Sequence, residues 1–473
     1  MKNNFKTCYI GDICKINENT YSNSDKWNFV NYLDTGNITK NKIENIQFIN
    51  LSLEKLPSRA KRKVKNNNII YSTVRPNQKH FGIIEEQPEN FLVSTGFAVL
   101  DVDCQKANPR FVYYYLTQEN YTNALHAIAE QSTSAYPSIK PSDIGNRKII
   151  LPTLEVQNKI AKVLSALDNK IELNNSINNN LEQQAQAIFK SWFVDNEYEI
   201  EKETTIGEAC KCELGGTPSR NKKEYWDGSI AWINSGTVNN YRITKATEYI
   251  TELGLSKSAT KLLPKKTTVL AITGATLGQI SLLEIDSCAN QSVVGILENE
   301  KVPYEFIYPY ICHNIHELLS QQTGGAQQHI NKQNIEQLVI SLPKHDVICK
   351  YKKLVNPIYS KITNNCFENE QLAQLRDALL PKLMSGEIDV SNVDISADKL
   401  YEPANESKLS AEPYNSSGSF ASASKNLSSE QSSSADKLSF SIMIIEYFYI
   451  KIVIIIGVVN YKNNTFKWSN NPV

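Results

Sequence analysis

The sequence predicts an α/β (α+β) chain in which two globular domains are separated by two long antiparallel coiled-coil helices, the whole duplicated about a pseudo-two-fold axis. Three observations predict it. First, one half repeats the other. Leu151-Pro152 returns as Leu342-Pro343, an offset of 191 residues (342 − 151). At the same offset Ala135, Ile139 and Ile144 return as Ala326, Ile330 and Ile335, and Leu181, Gln183 and Ala187 as Leu372, Gln374 and Ala378. Ile10-Gly11-Asp12-Ile13-Cys14-Lys15 returns as Ile206-Gly207-Glu208-Ala209-Cys210-Lys211, an offset of 196 (206 − 10). Solenoid periods are roughly 20–50 residues, so this period marks a duplicated domain. Second, each globular part alternates short β-type runs with Gly and Pro breaks. Third, each copy continues past its Leu-Pro pair into a long stretch with apolar residues at steps of three and four.

The elements follow in order. Residues 1–152 form the first globular domain, with β-type runs at Asn68–Val74 and Phe91–Val93 and a helix opening at Arg110 and continuing to about Ala129. Residues 153–197 form the first long helix. Its apolar stripe is Val156, Ile160, Leu164, Leu167, Ile171, Ile177, Leu181, Ala185, Ile188 and Trp192, and Thr153 suits its N-cap. Forty residues of helix span roughly 60 Å, more than a small domain covers, so this helix needs a partner. Asn174-Asn175 and Asn178-Asn179-Asn180 interrupt the stripe. Asparagine in a helix–helix seam lowers stability but fixes register. Residues 198–343 form the second globular domain, with β-type runs at Ile230–Ile233, Thr268–Ile272 and Val293–Leu297. Residues 344–395 form the second long helix, with Tyr351, Leu354, Ile358, Ile362, Leu372, Leu375, Leu379 and Leu383 as its stripe. Pro357 should kink or interrupt it, Pro381 should kink or end it, and Gly386 fits a stop.

Residues 396–473 are a Ser-rich tail expected to be disordered. Inside it, Phe440 to Val459 is abruptly apolar, about the length of a membrane span. Glu446 and Lys451 would each cost about 2.5–3.5 kcal/mol in a bilayer, so no membrane partner is expected. The tail reads as an addition outside the domain plan.

Composition excludes several classes. Formal net charge is zero. Residues 1–150 carry 19 Lys+Arg against 14 Asp+Glu, and residues 201–340 carry 13 against 15, so nucleic-acid binding is not announced by bulk charge. Nine cysteines without a Cys-x-x-Cys pair read as reduced thiols. His313-x-x-His316 has no third ligand nearby, so no metal site is expected. The N-terminus lacks a secretory apolar run, which suits a cytoplasmic protein. No phosphate-binding Gly-x-x-x-x-Gly-Lys-Ser/Thr loop occurs. The nearest string to the Asn-Pro-Pro-aromatic loop of adenine methyltransferases is Asn108-Pro109-Arg110-Phe111, with Arg in place of the second Pro. The chain is therefore not read as an enzyme.

Longer strings carry a resemblance. These are Gly215-Gly216-Thr217-Pro218-Ser219, Glu224-Tyr225-Trp226-Asp227-Gly228, Ile230-Ala231-Trp232-Ile233-Asn234-Ser235-Gly236, Thr273-Gly274-Ala275-Thr276-Leu277-Gly278 and Ala289-Asn290-Gln291-Ser292 in the second half. In the first half it is Tyr71-Ser72-Thr73-Val74-Arg75-Pro76-Asn77. In the helices they are the stretch from Ile160 to Glu172, Ala187-Ile188-Phe189-Lys190-Ser191-Trp192-Phe193-Val194-Asp195, and the stretch from Leu375 to Ile388. Together they resemble the specificity (S) subunit of a type I restriction–modification system. Val156-Gln157 and Val347-Ile348 depart from the Glu-Gln usual in that family near the spacer start.

The resemblance implies two target-recognition domains, residues 1–152 and 198–343, and two spacer helices. It implies double-stranded DNA as ligand, with two methyltransferase (M) subunits and restriction/translocase (R) subunits as partners. It implies no cofactor in this chain, because S-adenosylmethionine, ATP and Mg would belong to the partner subunits. Base edges are read by Arg, Lys, Asn, Gln, Ser and Thr on loops of a rigid scaffold. The candidate DNA-binding residues are Arg75, Asn77, Gln78, Lys79, Ser134 and Tyr136 in the first domain. In the second they are Thr217, Ser219, Arg220, Asn221, Lys222, Thr273, Gln327, Gln328 and Asn331. The alternative is a coiled-coil scaffold, or an inactive S-subunit remnant, without sequence-specific DNA binding.

Overall fold

The computed structural model describes residues 5–132, 136–320 and 329–391. Ser134, Gln327, Gln328 and the 396–473 tail lie outside these residues. The chain divides into two compact units, Met1–Asn169 with Ala373–Val473, and Lys170–Leu372. Each unit holds one globular segment and a stretch of each long helix.

In the first unit one sheet orders its strands Gln47–Asn50, Phe29–Leu33, Phe91–Ser94, Ala60–Lys63. The other orders them Cys14–Ile16, Phe97–Val102, Ile69–Ser72, Phe81–Ile83. Phe29–Leu33 and Phe91–Ser94 run parallel, and the remaining pairs in these sheets are antiparallel. Ile69–Ser72 and Phe91–Ser94 are buried at every residue, which is why the sequence shows them as unbroken apolar runs rather than alternations. The second unit repeats this plan. Glu248–Ile250, Trp226–Ile233, Ser287–Ala289 and Leu262–Leu263 form one sheet, again with one parallel pair. Cys212–Leu214, Val293–Ile296, Thr268–Ala271 and Ile280–Leu283 form the other, extended by a fifth strand, Arg242–Ile243.

The repeated Ile-Gly string has a local reason. Lys6–Tyr9 pairs with Lys148–Leu151, and Ile200–Thr205 pairs with Val339–Pro343. A one-turn helix follows the first strand of each ladder, at Ile10–Ile13 and Ile206–Ala209. The Ile10 amide donates to the Arg147 carbonyl at 2.9 Å, and the Ile206 amide to the Leu338 carbonyl at 2.9 Å. The acceptors are 191 residues apart (338 − 147), the repeat offset itself. A side chain in place of Gly207 would put its Cβ 2.8 Å from the Glu336 side chain, so glycine lets the helix Ile206–Ala209 meet the short helix Lys332–Glu336.

The region predicted as one helix from Arg110 is two, Pro109–Leu116 and Glu119–Glu130, broken at Thr117-Gln118. Asn108 caps the first, its side chain accepting from the Phe111 amide at 3.0 Å, and Pro109 takes the first helical position, where a missing N–H costs nothing. Asn108-Pro109-Arg110-Phe111 is thus a helix start.

The long helices span Leu154–Phe193 and His345–Ser385, and their first residues are 191 apart (345 − 154). Val156, Ile160, Leu164 and Leu167 are buried as the periodicity requires. Further along, the buried positions are Asn174, Asn178, Glu182, Ala185 and Phe189, while Ile171, Ile177, Leu181 and Ile188 are only half-buried. The stripe therefore turns polar in its middle. On the second helix Val355 is buried and Leu354 is 48% exposed, so the predicted stripe is one residue out there. Pro357 and Pro381 do not interrupt this helix. Both are exposed, so the missing ladder bond and the displaced carbonyl fall on the solvent side. Gly386, at φ +76°, ends the helix in the left-handed region, and the Ile388 amide closes back on the Lys382 carbonyl at 3.1 Å. Among the described residues no helix is long and apolar enough to cross a membrane.

Candidate nucleic-acid interface

Two corner loops, one per unit, follow related backbone paths. In the first unit the strand Ile69–Ser72 leads into Thr73-Val74, where Val74 bridges to Ser138 and the Ile139 amide donates to the Thr73 carbonyl at 2.8 Å. In the second, Thr268–Ala271 leads into Ile272-Thr273, where Thr273 bridges to His329 and the Ile330 amide donates to the Ile272 carbonyl at 3.1 Å. Each chain then turns left-handed, at Arg75 (φ +47°) and Gly274 (φ +68°). Each makes one 3-10 turn, Pro76–Gln78 or Gly274–Thr276, and is left-handed again at Lys79 (φ +58°) and Gly278 (φ +83°). Glycine meets this path without strain in the second loop. Arg75 and Lys79 meet it in the first, where left-handed non-glycine backbone costs of order 1–3 kcal/mol and tends to collect at functional sites.

In the first loop Arg75, Asn77 and Gln78 are exposed. The Arg75 guanidinium lies 4.8 Å from the centre of the exposed Tyr136 ring, so these two candidates meet. The Gln78 amide oxygen sits 3.2 Å from His80 Nε2. Lys79 is ion-paired to Glu119 and only 25% exposed, so its charge is already partnered.

The second unit adds a loop from Gly215 to Tyr225. Gly215 and Gly216 are not left-handed turn residues. A Cβ at Gly215 would fall 2.1 Å from the Asn290 carbonyl oxygen and one at Gly216 2.5 Å from the Thr260 amide, so the pair is threaded between two backbones. Thr217 donates to the Gln291 side-chain oxygen. The Ser219 carbonyl accepts from the Trp226 indole at 3.2 Å. Arg220 makes two hydrogen bonds to Glu248, at 2.7 and 2.6 Å, and stacks 3.7 Å from the centre of the Trp226 ring. That paired fork holds the Glu248 carboxyl below its usual range. Lys222 donates to the Tyr225 hydroxyl at 3.0 Å, and Asn221 is exposed. Asn331 caps the helix Lys332–Glu336, exchanging bonds of 2.9 Å with Asn334 in both directions. Arg220, Lys79 and Asn331 thus shape their loops. Arg75, Asn77, Gln78 and Asn221 present the exposed polar surface.

Sequence reasoning missed the groups that seat each globular segment on the helices. In the first unit Asp168 takes the Tyr114 hydroxyl at 2.6 Å and Arg376 at 2.7 Å, and Asn108 donates to Gln157 and Asn158. In the second, Arg242, 5% exposed, contacts Glu182 of the first long helix. Tyr113 and Tyr114, in the helix Pro109–Leu116, are 8% and 4% exposed and belong to the core. Among the described residues no group of three or more His, Cys, Asp or Glu is placed to hold a metal.

The family pattern described as the type I restriction modification DNA specificity domain matches this chain twice, over residues 2–183 and 199–371. The type I restriction enzyme HindI specificity subunit of Haemophilus influenzae is 26% identical over 467 aligned residues, covering 81% of this chain and 99% of its own. The MjaIX specificity subunit of Methanocaldococcus jannaschii is 27% identical over 305, covering 60% and 70%. A solved type I restriction–modification S subunit from M. genitalium aligns over 81% of this chain and 96% of its own, at 16% identity and a TM-score of 0.48. With its two matches spanning more than half of the sequence, the chain belongs to the type I restriction–modification DNA specificity family.

Proposed function

We propose that this chain is the sequence-specific DNA-binding subunit of a type I restriction–modification complex. It reads a bipartite target through two recognition domains and directs methyltransferase and restriction subunits to it. The observation that carries the reading is the pair of corner loops: a strand exit with two left-handed residues four apart occurs once per unit, with Arg75-Pro76-Asn77-Gln78-Lys79 in one and Gly274-Ala275-Thr276-Leu277-Gly278 in the other. Like scaffolds with unlike side chains suit two different short half-sites, because base edges are discriminated by side-chain hydrogen bonds while phosphate contacts set register.

In this reading residues 1–152 and 198–343 are the recognition domains. Residues 153–197 and 344–395 are spacers, paired as an antiparallel coiled coil with pseudo-two-fold symmetry, and their length sets the gap between half-sites. Residues 396–473 are an appended tail. The chain is not catalytic and needs no cofactor of its own. S-adenosylmethionine, ATP and Mg serve the partner subunits, of which two are methyltransferases. It acts in the cytoplasm, where the DNA is.

Methylome sequencing of a host carrying this chain and its methyltransferase tests the proposal. One bipartite adenine-methylated motif with a fixed gap is expected. Adding one heptad to both long helices should lengthen that gap. Absence of any motif would leave the scaffold or remnant reading, and an unchanged gap after insertion would remove the ruler.

A further inference from the structure

The second unit contains a buried charge cluster with no counterpart among the described residues of the first. Arg242 lies in the fifth strand of its sheet, and among the described residues the matching sheet of the first unit has four. The Arg242 and Glu284 side chains are each 1% exposed and that of Glu182 is 8% exposed. One guanidinium nitrogen is 3.1 Å from Glu182 Oε2. Another donates to the Tyr241 carbonyl at 3.0 Å and the Tyr308 hydroxyl at 3.1 Å. Nε is 3.6 Å from Glu284 Oε1, and the guanidinium lies 4.2 Å from the centre of the Tyr241 ring. Lys266 pairs with Glu284 and donates to Thr363 Oγ1 at 3.0 Å, while Thr363 itself donates to Glu284 Oε1 at 3.0 Å. Glu182 belongs to the first long helix and Thr363 to the second, so the cluster ties the globular segment to both.

Two cations and two carboxylates balance, so no net charge is buried. Stability alone does not explain such a cluster, because well-packed apolar residues often serve as well or better. What the cluster supplies is a single geometry. The guanidinium is a planar fork with fixed donor directions, and a small rotation of the segment would break several bonds together and strand charges away from water. The seat in the first unit is more forgiving. Arg376 and Asp168 are 27% and 32% exposed, so water can take up a slip.

Resting on the proposed DNA-reading function, we infer that Arg242 is a positioning residue: it fixes the pose of the second recognition domain on the helices and thereby limits the complex to one gap length. Each added base pair moves a half-site by about 3.4 Å along the axis and turns it by roughly 35°. Hydrogen bonds near 3 Å do not survive a pivot of that size.

The test uses the full chain co-expressed with its methyltransferase, read by methylome sequencing. Two variants are compared with wild type, Arg242→Met and the milder Glu182→Gln, which keeps the side-chain shape while removing its charge. Both should leave the bases of the two half-sites unchanged. Both should raise methylation at gaps one base pair longer or shorter by at least roughly tenfold, the loss of about 1.4 kcal/mol of discrimination. If Arg242→Met does not accumulate, Glu182→Gln carries the result. An unchanged gap distribution in Glu182→Gln, with only a lowered melting temperature, overturns the inference and leaves Arg242 as a fold-holding residue. No bipartite motif in wild type overturns the DNA-reading proposal itself, a different outcome from a fixed gap in the variants.

Discussion

Asn178 and Asn365 meet side chain to side chain inside the second unit, one from each long helix, with the Asn365 amide donating to Asn178 Oδ1 at 2.8 Å and the residues 3% and 1% exposed. Asn174 extends the contact by donating to Glu368 and Asn369, each at 2.9 Å, and Asn369 donates back to Asn175 at 2.9 Å. A one-residue slip of either helix would unpair these amides. Asn365→Leu alone should lower stability by about 1–3 kcal/mol, since it strands the buried Asn178 Oδ1. Asn178→Leu with Asn365→Leu should recover most of that loss while relaxing register. Urea unfolding of wild type and the two variants checks the order.

Arg220 and Glu248 should behave as one unit in DNA binding. Because the guanidinium is committed to Glu248, Arg220→Ala and Glu248→Ala are each expected to weaken cognate binding by about 1–3 kcal/mol. The double variant should lose little more than either single one, as coupled neighbours do. Titration of the assembled complex with cognate duplex decides it. A harmless Glu248→Ala beside a harmful Arg220→Ala would mean that Arg220 touches bases directly.

The two corner loops should respond oppositely to substitution. A Cβ added at Gly274 meets nothing within 4 Å, so Gly274→Ala isolates the left-handed strain, about 1 kcal/mol. At Gly278 the Cβ would also press on Leu319 at 3.1 Å, so Gly278→Ala should lose more. In the first loop Lys79→Gly releases the same kind of strain and loses one partly exposed ion pair, worth about 0–1 kcal/mol, so stability should hold or rise. Denaturation midpoints of the three variants distinguish these signs.

Alkaline pH should destabilise the fold through its buried thiols. Burial pushes Cys14, Cys210 and Cys212 from 9.0 up to about 12. The unfolded chain releases those protons first, so the folded state holds more protons between pH 9 and 12 and stability falls as pH rises through that window. Each group costs at most about 1.4 kcal/mol per pH unit. Unfolding of Cys210→Ala compared with wild type at pH 8 and pH 10.5 should show a shallower decline for the variant.

How much of this was legible in the sequence depends on what kind of signal each residue sends. The β runs at Ile69–Ser72 and Val293–Ile296 and the helix starts after Pro152 and Pro343 announce themselves through apolar runs and Leu-Pro boundaries. Asn174, Asn178 and Glu182 do not, because an apolar-stripe search passes over polar seams. Their spacing of four residues was nevertheless visible as a polar row. Arg242 follows Tyr241 in a polar-looking stretch, and only its partners, 60 and 42 residues away in sequence, reveal its burial. Residue type makes Asn331 a candidate DNA contact, and Asn331-x-x-Asn334 before Ile335 also fits a capping box. Single-residue chemistry cannot separate a loop amide that caps from one that reads.

The polar middle of the helix seam bears on how the chain is made. Asn178 leaves the ribosome 187 residues before Asn365 (365 − 178), roughly 10–40 seconds earlier at ordinary elongation rates. For that interval the nascent first helix has no mate. An uninterrupted row of leucines would be an invitation to premature association with neighbouring polysomes, whereas amides and a carboxylate stay wetted until their own partner emerges.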